Sequence, residues 1–216
     1  MADLPARARV VIIGGGAVGC SSLYHLAKAG WTDCVLLEKN ELTSGSTWHA
    51  AGNVPTFSTS WSLMNMQRYS TELYRGLSEA VGYPMNYHVT GSIRLAHSEE
   101  RMREFERAKG MGRYQGMDIE VIGPDEIKAR YPFIDTQDLK GALYDPNDGD
   151  IDPAQLTQAL AKGARDMGAK IVRFCPVTGV RREKDEWVIE TEQGEIRCEI
   201  VVNAAGYRAA EVGKMF

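Results

Sequence analysis

The chain has 216 residues, 44% of them hydrophobic and 25% charged, with 22 scattered glycines and a formal net charge of -4. That length holds one sizeable core or two small ones, single domains running to roughly 100–200 residues, and the composition is that of a globular chain, neither disordered nor fibrous. A sequence pI near 5.6 gives no basic footprint for nucleic acid, and no apolar run approaches the ~18 residues of a membrane span.

The first expected strand begins at about Arg9, in "RVVIIGGGAVGC". It leaves no room for a signal peptide, so the expected setting is cytoplasmic. Cys20, Cys34, Cys175 and Cys198 are far apart and form no CxxC pair; buried, reduced thiols are expected, not disulfides or zinc ligands.

From Arg9 to Glu38 the pattern reads strand, glycine turn, helix ended by Gly30, then a second apolar strand. This βαβ order is what gives the Gly14-x-Gly16-x-x-Gly19 spacing its meaning. Gly14 allows a tight turn out of the strand, Gly16 lets backbone approach a pyrophosphate, and Gly19 allows close helix-to-strand packing. The phosphates are expected over the unpaired amides at the helix N-terminus, beside Ala17 and Val18. Glu38, 19 residues after Gly19, is placed to accept hydrogen bonds from an adenosine ribose. A P-loop is excluded because Cys20 stands where its lysine must be.

Next comes "GSTWHAAG", residues 45–52, a Trp48–His49 pair fenced by small residues. The stretch from Ser60 to Val81 is an expected helix with Ser60 as N-cap and a core stripe of Leu63, Met66, Leu73, Leu77 and Val81. Residues 84–150 break the βα alternation: a short strand in "GSIRLAH", a charged helix from about Glu99 to Lys109, then "IEVIGPDEIKARYPFI" and "GALYDPNDGDI". Alternation resumes with Asp152 as N-cap and Pro153 at the first helical position. Three strands follow, in "VTGVRRE", "EWVIETEQG" and "EIRCEIVVNAAG", the last suited to a central position. The fold class expected is α/β, Rossmann-like, with an inserted and incomplete α+β substrate domain. Its segments are residues 1–84 (dinucleotide domain), 85–150 (insertion) and 151–216 (dinucleotide domain resumed), and the chain looks truncated.

Other constellations fail. Counting from Asp145, "DPNDGDIDP" puts glycine at position five and Leu156 at position twelve, against an EF-hand's six and glutamate; a turn leading to a capped helix is expected instead. His25, His49, His88 and His97 form no zinc motif, and there is no GxSxG.

Gly14 to Gly19, Glu38-Lys39, "ELTSGSTWHAAGN", "GSIRLA", "YDPNDGDIDP" and "VVNAAG" occur here in order. With them the chain resembles, over its whole length, the N-terminal part of the dimethylglycine and sarcosine dehydrogenase family, within the glycine-oxidase and D-amino-acid-oxidase group of flavoproteins. The resemblance implies FAD, with His49 as the residue joined covalently to the flavin 8α carbon. It places Ala17 and Val18 at the pyrophosphate, Glu38 and Lys39 at the adenosine side, and Gly45, Ser46, Thr47, Trp48, His49, Ala50, Ala51, Gly52 and Asn53 at the flavin end. Val177 would pair its backbone with adenine, and Ala205, Gly206 and Arg208 would approach the phosphates. Trp48 either walls off solvent or packs, and Val177 taken alone is equally a plain strand residue.

The implied reaction is oxidative N-demethylation of a small N-methylated glycine. Implied partners are an electron-transfer flavoprotein, with oxygen as the other acceptor, and a completing C-terminal segment or subunit; tetrahydrofolate is implied only for a longer parent protein. No metal, nucleic acid or membrane is expected. Catalytic residues are expected beyond Phe216, with Arg94 and Tyr87 the only anchors in the inserted region worth naming, surface roles being as open to them. Two other readings remain: an amine or amino-acid oxidase of another substrate class, and a non-catalytic flavin-scaffold subunit. A nicotinamide dehydrogenase has no reason to contain "GSTWHAAG".

Overall fold

A computed structural model describes residues 3–216. The chain forms two compact units. The first takes the residues up to Ala51, Gly76–Asn86 and Asp152–Phe216; the second takes Gly52–Arg75 and Tyr87–Ile151. The second unit thus includes Gly52–Arg75, which lies within the expected 1–84 segment.

The first unit is a six-stranded sheet in the order β10-β11-β12-β1-β2-β9. Its parallel part comprises β12 (Gly194–Asn203), β1 (Arg7–Ile13), β2 (Cys34–Leu37) and β9 (Lys170–Val172). β10 (Val177–Glu183) and β11 (Glu186–Thr191) join antiparallel to one another and to β12. Val10 to Ile13 and Cys34 to Leu37 are buried without alternation, as expected of strands covered on both faces. One face packs Val11, Ile13, Val35, Leu37, Val172, Ile189 and Ile196 into a single cluster. α1 (Ala17–Lys28) and α5 (Pro153–Asp166) pack on each other; Gly163 lets them meet, since a Cβ there would stand 2.7 Å from the Tyr24 ring. The side chain of Asp152 accepts from the amides of Ala154 and Gln155, with Pro153 behind it, as the sequence signals. All four cysteines are free and buried.

The second unit has two small antiparallel sheets. One is β3-β8-β4 (Asn53–Val54, Gly149–Ile151, Tyr87–His88) and the other β5-β7-β6 (Ser92–Ala96, Gly141–Asp145, Glu120–Ile122). α3 (Glu99–Tyr114) runs five residues past its expected end, and α4 (Pro124–Arg130) is an unforeseen helix. Phe57, Met64, Phe105, Ile119 and Leu143 form one core; Ile122, Ile127, Leu139 and Ala142 form another.

Helix α2 (Trp61–Val81) corrects the expected stripe. Leu63 and Met66 are 45% and 63% exposed, whereas Met64 and Thr71 are buried. The helix serves two cores: its first half buries Met64 within the second unit, and its last turns bury Leu77 and Val81 within the first. A single stripe at 3.6 spacing fits neither half completely. Among the described residues no helix is long and apolar enough to cross a membrane.

The carboxylate-rich run closes on itself. Asp145 and Asp148 are both buried. Asp148 Oδ1 accepts from the Thr56 amide at 2.6 Å and Oδ2 from the Ser92 hydroxyl at 2.5 Å, while Asp145 Oδ1 accepts from the Asn147 amide at 3.0 Å. Thr56 Oγ1 lies 2.7 Å from Asp145 Oδ2 and 2.8 Å from Asp148 Oδ1. One hydroxyl carries one hydrogen, so two carboxyls contacting it share a proton. Asp148 is faced by the Thr56 amide and by the Thr56 and Ser92 hydroxyls; burial pushes the Asp145 carboxyl above its ordinary 3.8, which favours its protonated form.

A group whose folded value is raised favours the folded state most below its unfolded value, and this contribution fades as pH rises through the folded one. Urea midpoints should therefore fall as pH climbs above the ordinary aspartate range. Asp145→Asn, whose amide can donate to Thr56, should flatten that slope without loss at neutral pH. Asp148→Asn turns a donor toward donors and should cost about 1–3 kcal/mol. Equal losses for both variants would contradict the proton assignment.

Candidate functional site

The site is built where β1 hands over to α1, at the carboxyl ends of β1, β2 and β12. This is the point in an open parallel sheet where neighbouring connections diverge and ligands bind. Gly14 leaves β1 at φ +117°, a conformation that side chains rarely adopt, and donates its amide to Leu37 C=O at 2.9 Å. A Cβ on Gly14 would lie 2.4 Å from the Ala204 carbonyl oxygen, and one on Gly19 would lie 1.9 Å from the Gly14 carbonyl oxygen. Glycine at these two positions thus sets α1 directly against the strand end. At Gly16 a Cβ would meet only Thr47 Oγ1, at 3.0 Å, so the backbone there is open for close approach.

Gly16 precedes α1 in extended conformation and offers no side-chain cap. The cap comes from far along the chain: Thr47 Oγ1 accepts the Ala17 amide at 3.1 Å. No acidic residue stands in the first turn of α1, so the positive end of the helix dipole is left for an anion. Glu38, just past β2, accepts from the Gly15 amide at 2.7 Å through Oε2 and from the Asn40 amide at 2.8 Å through Oε1. A carboxylate has about four acceptor positions, so both oxygens keep capacity for a further donor.

These parts enclose a cavity of about 440 Å3, within the size range of small-molecule sites. Of the residues singled out in the sequence, Gly14, Gly16, Ala17, Val18, Glu38, Lys39, Gly45, Ser46, Thr47, Val177, Ala205, Gly206 and Arg208 line it. Val18 is 69% exposed despite being apolar, since it stands at the cavity edge of α1. Lys39 and Arg208 bring cations to the lining beside the carboxylates of Glu38 and Glu211, and the Tyr207 phenol is held below the usual tyrosine range by its hydrogen bond from Arg208 and by Lys39.

Seven expected residues lie off the cavity lining. Gly19 acts from behind, through its contact with Gly14. Trp48 and His49 sit in a 3-10 turn (Thr47–His49), their ring centroids 3.8 Å apart and their planes tilted by 33°. Trp48 is 58% exposed, and His49, Ala50 and Ala51 are exposed as well. Gly52 and Asn53 belong to the second unit; Gly52, at φ +80°, is pressed against the Ile151 carbonyl oxygen, 2.2 Å from where a Cβ would be, and Asn53 pairs with Asp150.

The lining also includes residues that sequence reasoning passed over. Gly15 is the middle glycine of the turn, Asn40 follows Glu38-Lys39 directly, and Cys175-Pro176 adjoins Val177; each sits next to a residue that was named. Tyr207 lies between the named Gly206 and Arg208, and Thr43 lies within "ELTSGSTWHAAGN"; Glu211 and Met215 carry no local signal, because folding alone brings them there. Cys20, beneath the turn, is no nucleophile: burial pushes its thiol up to about 12. Neither anchor named in the insertion lines this cavity. Arg94 donates to the Phe57 carbonyl at 3.3 Å, while Tyr87 meets Tyr74 edge to face and its hydroxyl is buried without a hydrogen-bond partner among the described residues.

Residues 9–216 match the model of the family described as FAD dependent oxidoreductase. The chain is 46% identical to mitochondrial dimethylglycine dehydrogenase of Rattus norvegicus, an alignment that covers 97% of this chain and 24% of that protein. It is 39% identical to mitochondrial sarcosine dehydrogenase of Homo sapiens, covering 98% of this chain and 24% of that one. The chain thus spans about a quarter of the length of these relatives. Among solved structures, L-proline dehydrogenase from P. horikoshii superposes with a TM-score of 0.91 at 30% identity, covering 98% of this chain and 56% of that one.

The glycine contacts lead to graded outcomes. Gly19→Ala forces a methyl group into the Gly14 carbonyl and should destabilise the chain by about 1–3 kcal/mol or more. Gly16→Ala meets only a hydroxyl that can shift, and should leave the urea midpoint nearly unchanged. Equal midpoints for the two variants would refute the packing role of Gly19.

Proposed function

Because this chain belongs to the family of FAD-dependent oxidoreductases, we propose that its first unit seats the ADP half of FAD and that it serves oxidative N-demethylation of a small N-methylated glycine of the dimethylglycine or sarcosine type. The observation that carries the seat is the cavity at the end of β1, where the N-terminal backbone of α1, a strand-end carboxylate and the Lys39 and Arg208 cations converge. Each part matches one part of the ligand. The α1 N-terminus and the open backbone at Gly16 suit a pyrophosphate. Lys39 and Arg208 add charge of the right sign, and the spare acceptor capacity of Glu38 suits ribose hydroxyls. Val177 opens the strand next to the cavity, where its backbone would face adenine.

Bound there, FAD supplies a two-electron acceptor for the hydride equivalent that leaves the N-methyl carbon. The chain's own contribution is to fix that group in place. His49 would supply an imidazole nitrogen for a covalent link to the flavin 8α carbon; overall the nitrogen and the methyl group would each give up one hydrogen, both taken up by oxygen as hydrogen peroxide. The small residues Ala50 and Ala51 leave room for that approach, and the Trp48 ring close against His49 limits the orientations of the imidazole. The substrate class is supported by the likeness to dimethylglycine and sarcosine dehydrogenases. An electron-transfer flavoprotein is the acceptor this reading favours.

Flavin-fluorescence titration of the purified chain should show saturable FAD binding, and its absence would remove the reading altogether. After incubation with FAD and SDS denaturation, yellow fluorescence should stay with the wild-type band and be lost from His49→Ala. Release of all flavin from the wild type would overturn the covalent assignment alone. Where turnover is measured, formaldehyde from dimethylglycine supports demethylation, whereas ammonia from an amino acid places the chain in another substrate class.

A further inference from the structure

The segment that carries Trp48 and His49 is fastened to the turn between β1 and α1 at three points. Thr43 donates its amide to the Gly15 carbonyl at 3.0 Å, Leu42 fills the space beside Gly15 to within 2.6 Å of where a Cβ would be, and Thr47 Oγ1 accepts from Ala17. Thr43 makes its contact at φ +72°, a strained conformation for a β-branched residue. The segment is therefore held against the turn by more than chain connectivity.

The Thr47 contact differs from the other two in lying where an anion would sit. A local Ser, Thr or Asp ordinarily caps a helix; here Gly16 cannot, and the cap is borrowed from a residue 30 positions away. Having accepted the Ala17 amide, the Thr47 hydroxyl still owns its hydrogen. Thr47 lines the cavity, so a phosphate oxygen seated over the N-terminus of α1 is a fitting acceptor for that hydrogen. The same residue opens the 3-10 turn, the Ala50 amide returning to the Thr47 carbonyl at 3.2 Å.

We propose that Thr47 is a positioning residue that couples occupancy of the anion seat at α1 to the placement of the Trp48–His49 turn. This rests on the dinucleotide reading above and extends it: the pyrophosphate half of the ligand, with no flavin attached, orders residues 46–50. The link runs from Ala17 N–H to Thr47 Oγ1 to the phosphate, and cutting it at either end separates the turn from the seat.

ADP is the probe, titrated into the full chain by calorimetry while hydrogen exchange is followed for residues 44–51. The wild type should bind ADP and gain protection in that segment, and Thr47→Ser should keep both. Thr47→Val, nearly isosteric but lacking the hydroxyl, should bind ADP roughly tenfold or more weakly and gain no protection there. Ala17→Pro deletes the donor at a helix position that tolerates proline and carries the same test independently of how well Thr47→Val folds. Because both variants cut one link, the double variant should be little worse than either single one. Wild-type affinity and protection in Thr47→Val, or fully additive losses in the double variant, would overturn the coupling and leave the dinucleotide reading standing. A wild-type chain that does not bind ADP would overturn both.

Discussion

The nearness of α1 to the end of β1 governs this site. The Gly14 carbonyl occupies the space that a side chain at Gly19 would need, and the Ala204 carbonyl occupies the space that one at Gly14 would need. Two glycines therefore let a helix, a strand end and the end of the neighbouring β12 share a volume that larger residues would divide. The first amides of α1 then face the cavity, and the helix dipole acts on whatever sits there. Bulk at either glycine would move the positive end of the helix away from Glu38 and Lys39, so the pieces would remain but no longer converge.

Around that contact the site is assembled by backbone more than by side chains. Glu38 is oriented by two amides, from Gly15 on one side and Asn40 on the other. The Glu38 amide in turn donates to Val172 C=O and its carbonyl accepts from Cys175, which carries the chain after β9 up to the cavity wall. Polar groups arranged this way are set by strand register rather than by rotamer choice, and little reorganisation remains for binding to supply. The cations at the lining are looser: Lys39 and Arg208 are exposed, and Arg208 already pairs with Glu211 at 3.1 Å. Exposed charges of this kind guide an anion toward the seat more than they fix it there.

Legibility in the sequence followed the range of the interactions. The βαβ unit was readable because each of its determinants acts over a few residues: glycine spacing, an apolar run, a strand-ending acid. The cap on Asp152–Pro153 was readable for the same reason. The cap on α1 was not, since a glycine stands at the capping position and the hydroxyl that replaces it is 30 residues away. Nor was the division of α2, because hydrophobic periodicity assumes one core per helix and this helix supplies two. Spacing in "YDPNDGDIDP" pointed to a turn before a capped helix but did not disclose that Thr56 and Ser92 close around its carboxyls. Of the predicted site residues, those that line the cavity flank glycines or strand ends, whereas Trp48 to Asn53 lie off it.

That last group shows how order can extend beyond a cavity wall. A side chain free in solvent gives up rotamer entropy when it is fixed, about 1 kcal/mol or more for a flexible one, and a nucleophile gains effectiveness when that loss is met before the reaction. His49 is exposed yet not free: its ring lies on Trp48, its amide donates to Ser46 C=O at 3.2 Å, and its turn begins at a residue bonded to α1. Each restraint is worth little alone. Together they tie down the turn that carries the imidazole without enclosing the ring. Exposure at His49 is therefore compatible with a bonding role in a way that exposure on a slack loop would not be.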